Sequence, residues 1–572
     1  MPLLSGVSML LFFGLIVFAI LTKQKEESFC PGQSLGRRKQ ALFLLIFLGI
    51  LAVRFFRFPA VPGGLNQDGA MGAVDAKALG DYGTDRFGTL LPAHFKAWGY
   101  GQMSVLLSYF SVPFIKALGL NKLAMRLPML IASLAGLWGV YRTVARSHGA
   151  KAAGIALLLT AINPWHFMQS RWALDCNLFP HMFILGFCFL MQGLTKKKSI
   201  FISMIFFALC MYCYGVSFYM VPFFLLSAAV LLIREKKVTG RECALCILIY
   251  FGISWPIYAT MLINFMKWET VSLPFVTMPF FEESIRSGDI LFFSEDIGGQ
   301  LLINIKALLR VVFWQGEDLP WNSMKEFGTM YKCTMPFVLF GGLLVFRRAQ
   351  NRQVQAEQRM GAGLLCAFWI FGILTGLLIN SVNVNRINII FYIHIIFAAI
   401  GVEFTVRKWK ALLFVTGAVF LIHYTCFCTQ YFTRWAQEID RAFYGDFVRA
   451  LEYAESCESD YYCITPDTQF EGARQVTEIL TLFVFDTDAA YYQGEMADHE
   501  KDGGITQIPY EEKFRYANPW ELGGREGDNI TYVIKSADAD FFPQESFRVT
   551  LFGDYAVAAP TEPGSIPSAI SG

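Results

Sequence analysis

Charge is scarce in this chain. Only 16% of its 572 residues are Asp, Glu, Lys or Arg, where a soluble domain carries about a quarter. The net charge of +2 is too small to mark a nucleic-acid binder. No phosphate-binding Gly-rich loop and no His-Glu-x-x-His run occurs, which removes two common nucleotide and zinc-hydrolase signatures. No internal repeat of the transporter type is visible. Metal ligands are no better represented: Cys210 with Cys213 and Cys243 with Cys246 have C-x-x-C spacing inside apolar runs, and they read as small buried hydrophobes rather than zinc ligands. Cys457 and Cys463 fall in a polar tail, and spacing alone leaves open whether they pair.

What the chain has instead is apolar length. Hydrophobic residues make up 55% of it and its mean hydropathy is +0.43. Runs long enough to cross a bilayer lie at 5–22, 40–57, 123–145, 150–166, 178–194, 199–214, 217–233, 242–262, 333–346, 361–380, 387–404 and 410–429. The first is read as a span rather than a cleavable signal, because Lys23 and Lys25 follow it and a second span comes soon after. Every second short loop is basic. The charges are Lys23, Lys25 and Arg37 to Lys39; Arg142, Arg146 and Lys151; Lys196 to Lys198; Arg234, Lys236, Lys237 and Arg241; Arg347, Arg348, Arg352 and Arg359; and Arg407, Lys408 and Lys410. The positive-inside rule then puts the N-terminus, residues 58–122, 264–332 and 381–386, and the tail outside. The apolar runs 103–118 and 301–315 would break the alternation if they crossed, so they are expected as helices on the outer surface.

Past residue 430 the composition changes. Acidic residues outnumber basic ones by more than two to one, and short runs such as Tyr461-Thr465, Thr531-Lys535 and Phe547-Phe552 alternate with turn residues. That pattern predicts a small mixed α/β domain. The expected organisation is an extra N-terminal helix and basic loop (1–39), a membrane domain (40–430) with exterior loops 58–122 and 264–332, and an exterior domain (431–572).

An ionisable side chain within a span costs about 2.5–3.5 kcal/mol on insertion scales, so such residues mark cavities or partners. Here they collect at one depth, on the predicted outer face: Asp68 and Asp75, Arg126, then His166, Arg171 and Asp175, then Asn383, Asn385 and Arg386. Arginine beside a bilayer suits a phosphate, because its planar fork holds two oxygens. A carboxylate suits deprotonation of an attacking hydroxyl.

These residues carry a resemblance. Asn66-Gln67-Asp68-Gly69-Ala70, Asp75-Ala76, Gly83-Thr84-Asp85-Arg86-Phe87-Gly88 and Leu91-Pro92 resemble the first exterior loop of the GT-C membrane glycosyltransferases. The group it resembles is the bacterial relatives of protein O-mannosyltransferases and aminoarabinose transferases, glycosyltransferase family 39 in the broad sense. Tyr109, Pro113, Gly119, Arg126-Leu127-Pro128, Asn163-Pro164-Trp165-His166, Ser170-Arg171, Pro320-Trp321-Asn322, Phe327-Gly328, Tyr331 and Asn385-Arg386 continue it. The resemblance spans most of residues 40–405.

It implies an α-helical polytopic GT-C-like fold and an inverting hexosyl- or pentosyltransferase of the cell membrane. Such an enzyme moves a sugar from a polyprenyl-phosphate donor to a glycan, lipid or protein acceptor at the outer face. Asp68 takes the place of the catalytic carboxylate. Arg126, Arg171 and Arg386 are candidates for the donor phosphate. Asp75, Asp85, Tyr100, Trp165, His166, Trp321, Asn322 and Asn385 are candidates to shape the site. For Tyr100, Trp165 and Trp321, stacking on a sugar and anchoring at the interface both stand.

One departure is chemical: the family's acid pair is Asp-Glu, and here Gly69 follows Asp68. The sequence demands no cofactor, and a divalent cation stays open. Asp75 lies two helical turns on, about 10 Å away, too far to act as one pair with Asp68. The rival expectation is a carrier or flippase of a lipid-linked or anionic substrate, which would need access from both faces.

Overall fold

In a computed structural model of the chain, the described residues are 1–22, 37–97, 101–282, 290–407, 409–468, 474–492, 513–521 and 529–562. Tyr100, Lys23, Lys25 and Lys408 lie outside them.

The apolar runs become helices: α1 (Pro2–Leu21), α2 (Arg37–Phe55), α3 (Gln67–Tyr82), α4 (Leu106–Leu118), α5 (Lys122–Ile162), α6 (Pro164–Gln169), α7 (Asp175–Gly193), α8 (Lys198–Cys210), α9 (Ser217–Arg234), α10 (Gly240–Met266), α11 (Ile297–Leu308), α12 (Met335–Gln350), α13 (Ala356–Leu378), α14 (Val384–Ile387), α15 (Ile389–Val406) and α16 (Lys410–Tyr431). Each of the twelve expected spans is helical. Two of them, 123–145 and 150–166, form the single element α5, broken at Gly149, whose φ of 87° only glycine adopts cheaply. The second ends at Ile162, earlier than expected, because Asn163 leaves the helix to cap α6 and Pro164 opens that helix. Eight helical stretches among the described residues are both long and apolar enough to cross a bilayer. The run expected at 103–118 is α4, which packs between α3 and α5. The run at 301–315 becomes α11 and a π-turn over Leu309–Phe313.

Helices α7 and α15 run through the middle, buried on nearly all sides, and α1 and α16 form the rim. Close approach in the centre rests on small residues. A Cβ on Gly341 of α12 would sit 1.8 Å from the Phe397 carbonyl oxygen of α15, and one on Gly401 of α15 would sit 2.5 Å from the Phe337 oxygen of α12. Without water to expel between helices, this intimacy is what holds them.

Two small hairpins decorate one end, β1 (Phe95–Ala97) with β2 (Gly101–Met103), and β3 (Val271–Leu273) with β4 (Val276–Met278). The Ala93 amide donates to the Thr277 oxygen at 2.8 Å and the Thr277 amide to the Leu91 oxygen at 3.1 Å, so the loops 58–122 and 264–332 join there.

The polar tail folds as expected, into helices α17 (Arg434–Ala442), α18 (Gly445–Glu455), α19 (Arg474–Val484) and α20 (Ala489–Tyr492) and a mixed sheet. Its strands are β5 (Tyr461–Ile464), β6 (Phe514–Tyr516), β7 (Ile530–Lys535), β8 (Phe547–Phe552) and β9 (Tyr555–Pro560), in spatial order β6-β5-β7-β9-β8. Cys457 and Cys463 do not pair. The Cys463 thiol donates to the Ala517 oxygen at 3.3 Å and the Cys457 thiol to the Tyr453 oxygen at 3.4 Å. Helix α19 packs along α3. Lys77 of α3 reaches Asp486 Oδ1 at 2.6 Å, and the Tyr82 hydroxyl donates to Asp488 at 2.7 Å.

Candidate active site

Asp68 opens the first turn of α3. The Asn66 side chain caps that helix, accepting from the amides of Asp68 (3.0 Å) and Gly69 (3.3 Å). A carboxylate in this turn faces the positive end of the helix dipole. Asp68 is half-buried and lines a small cavity of about 10 Å3, room for roughly one water, together with Gly69, Ser108, Met125, Ala173 and Asp175. Gly69 leaves no space for a second acid, since a Cβ there would lie 2.7 Å from the Ala173 carbonyl oxygen. The second carboxylate of the cavity comes from elsewhere: Asp175, at the start of α7, whose oxygens accept from the Cys176 amide (2.6 Å) and the Ser104 amide (3.4 Å). Ser108 adds a buried hydroxyl that has no hydrogen-bond partner among the described residues. No three His, Cys, Asp or Glu side chains among the described residues gather as a metal set.

The turn carrying Asn385 and Arg386 reaches the same end of α7. Asn388 donates to the Cys176 carbonyl at 2.8 Å, next to Asp175. Asn383 caps the turn by accepting from the Arg386 amide at 3.2 Å, and the Arg386 guanidinium donates to the Asn380 carbonyl. Arg386 and Asn385 are half-buried, and Asn385 Oδ1 is buried with no partner among the described residues.

Arg126 and Arg171 sit differently from what their residue type led one to expect. Both are fully buried. Arg126 donates to the carbonyls of Pro59 (2.5 Å), Pro62 (2.6 Å) and Gly64 (3.0 Å). Arg171 donates to those of Arg54, Phe56 (2.9 Å) and Val61 (3.1 Å). Their forks bracket the irregular chain between α2 and α3, and this geometry does not offer them to a phosphate. The reason is one of supply: residues 56–64 leave helix without forming a ladder, and buried carbonyls need donors. A third arginine, Arg54, was not singled out from the sequence. It donates to Ala161 (2.8 Å), His166 (3.0 Å) and Ser170 (2.7 Å). An arginine ending the apolar run 40–57 was the available signal.

Asp75 of α3 and Asp85, in the turn after that helix, form a buried group. Asp75 pairs with Arg86 at 2.6 Å. Asp85 accepts from the amides of Phe87 (2.9 Å) and Thr89 (2.8 Å), which shapes the 85–89 turn. Burial, and then the charge of Asp75, push the Asp85 carboxyl up to about 7. Trp165 and His166 are buried inside the helical core, not at a rim. The Trp165 ring packs edge-on to Tyr392. His166 Nε2 and His181 Nδ1 meet the Tyr392 hydroxyl at 3.0 and 2.7 Å, which joins α6, α7 and α15. Trp321 packs on Phe443. Asn322 is buried, accepts from Gln169 at 3.1 Å and donates to Asp318 at 2.9 Å. Asp318, also unremarked in the sequence, accepts in addition from the Val384 amide at 3.0 Å.

Comparison with known proteins follows the same lines. Residues 104–258 match the family described as dolichyl-phosphate-mannose-protein mannosyltransferase. No curated protein matches the chain. Among solved structures it is similar to ArnT from Cupriavidus metallidurans bound to undecaprenyl phosphate, with a TM-score of 0.58 at 11% identity over 92% of this chain and 98% of that one. The apo ArnT structure from Cupriavidus metallidurans gives 0.53 at 12% identity, over 91% and 98%. The archaeal oligosaccharyltransferase AglB from Archaeoglobus fulgidus is more distant, at 0.47 and 13% identity over 83% of this chain and 65% of that one. The chain has the ArnT fold, and its residues 104–258 carry the likeness to the dolichyl-phosphate-mannose-protein mannosyltransferase family.

Proposed function

We propose that the chain transfers a sugar from a polyprenyl-phosphate donor to an acceptor hydroxyl or amine at the outer face of the membrane, with Asp68 as general base. One observation carries the reading. Asp68 and Asp175 line one cavity, and the Arg386 turn is bonded to the same end of α7. The fold likeness to an ArnT that binds undecaprenyl phosphate supports the donor class. The acceptor oxygen attacks the anomeric carbon and gives its proton to Asp68. The bond from that carbon to the phosphate oxygen breaks, and the polyprenyl phosphate leaves with the electron pair, its charge held by Arg386. Arg126 and Arg171 drop out of the phosphate set and become brackets for the segment that leads to Asp68.

The test is a single-turnover assay of purified protein with a panel of polyprenyl-phosphate sugars, scoring released polyprenyl phosphate. Asp68→Asn keeps shape but cannot accept the proton, so transfer should fall by about 10²-fold or more while donor binding survives. Undiminished transfer by folded Asp68→Asn ends the assignment. Lipid-phosphate binding without release from any donor would favour a carrier instead.

A further inference from the structure

The long exterior loop and the Arg386 turn meet at one side chain. Asp318 Oδ2 accepts from the Val384 amide at 3.0 Å, the first residue of the turn that carries Arg386. The same oxygen accepts from Asn322 Nδ2 at 2.9 Å, and Asn322 Oδ1 accepts from Gln169 of α6 at 3.1 Å. Two residues on from Asp318, the Pro320 carbonyl accepts from the Trp435 indole of α17 at 3.0 Å. The loop is therefore fastened to the tail and to α6, and Asp318 is its fastening to the Arg386 turn. Burial raises the Asp318 carboxyl, and the Val384 and Asn322 donors oppose that, so the side chain is kept half-buried at a cost that its hydrogen bonds offset.

We propose that Asp318 is the positioning residue for Arg386: by holding the Val384 amide it sets the turn from which the guanidinium meets the donor phosphate. The inference rests on the reading of Arg386 given above, and it adds a mechanical link from the 290–332 loop to donor binding. Asp318 itself touches no substrate. Asp318→Ala removes the acceptor and releases the turn. Asp318→Asn keeps an oxygen for the Val384 amide. That oxygen, in the place of Oδ2, also still accepts from Asn322 Nδ2, because both donors meet the same atom.

The experiment uses the full chain in lipid nanodiscs, with undecaprenyl phosphate alone as the probe. Hydrogen exchange at the Val384 amide is read beside binding. Arg386→Ala should weaken binding by about tenfold or more, as loss of one charge-assisted contact does. Asp318→Ala should weaken it comparably and accelerate Val384 exchange. Combined with Arg386→Ala it should add nothing further. Asp318→Asn should restore both readouts. If Arg386→Ala weakens binding and Asp318→Ala does not, the positioning role is overturned and the donor reading stands. Unchanged Val384 exchange in Asp318→Ala overturns it whatever binding does. If Arg386→Ala leaves binding intact, the donor-site reading fails, and the positioning role for donor binding fails with it.

Discussion

At the residue scale, the same side-chain chemistry occurs in two settings here, and only position separates them. Arg126 and Arg171 each donate to three carbonyls and Arg54 to two carbonyls and the Ser170 hydroxyl, whereas the Arg386 guanidinium donates to the Asn380 carbonyl. Arg386 sits half-buried on a capped turn beside α7. The acids divide likewise: Asp75 is neutralised by Arg86 in the core, and Asp68 opens a helix beside a cavity. Asp85 offers a pH signature. Burial and the charge of Asp75 push its folded carboxyl up to about 7, against roughly 4 for an unfolded aspartate. Between those values the folded state holds a proton that the unfolded state has lost, so this group's contribution to stability is fully present at the acid end and falls as pH rises through 7. Asp85→Asn keeps an oxygen for the Phe87 and Thr89 amides and cannot ionise. The unfolding temperature in detergent should fall from pH 5 to 8 more in the native chain than in the variant. Equal slopes in both would remove the assignment.

At the element scale, the start of α3 is set by how closely it approaches the segment before α7. The Asp-Glu pair that the sequence resemblance implies does not fit here without strain. Gly69→Glu would drive a Cβ to 2.7 Å from the Ala173 oxygen, and backbone on both sides must yield. Such overpacking costs about 1–3 kcal/mol. The variant should unfold at lower temperature in detergent and transfer less sugar than the native chain. A gain in either would show that α3 and the Ala173 segment move apart freely. The far flank of α3 is held by the tail, through Lys77 with Asp486 and Tyr82 with Asp488. The tail thereby braces the helix that presents Asp68.

At the scale of the whole molecule, three segments that are far apart in sequence share one end. Residues 58–122 touch 264–332 at Ala93 and Thr277, 264–332 touches the tail at Pro320 and Trp435, and the tail touches α3 at Asp486. They must therefore lie on one side of the bilayer. Which side that is follows from the basic loops, which predict the exterior. A membrane-impermeant thiol reagent applied to intact cells should label Leu90→Cys and Asp540→Cys above the native-cysteine background and leave Lys236→Cys unlabelled until the cells are opened. The reverse pattern would invert the topology.

The sequence by itself determined the helical spans and the mixed sheet of the tail, because hydropathy and turn chemistry act over a few neighbouring residues. It also offered Asp68 and the Asn385-Arg386 turn as candidates, because polar groups beside apolar spans are costly. Only the tertiary structure decided that Arg126 and Arg171 are brackets, that Trp165 and His166 belong to the core, that Asp175 joins Asp68, and that Asp318 touches the Arg386 turn. Each of those outcomes depends on carbonyls, cavities and donors supplied by segments remote along the chain. A side chain's type states what it can bind, and the fold states what is left for it to bind.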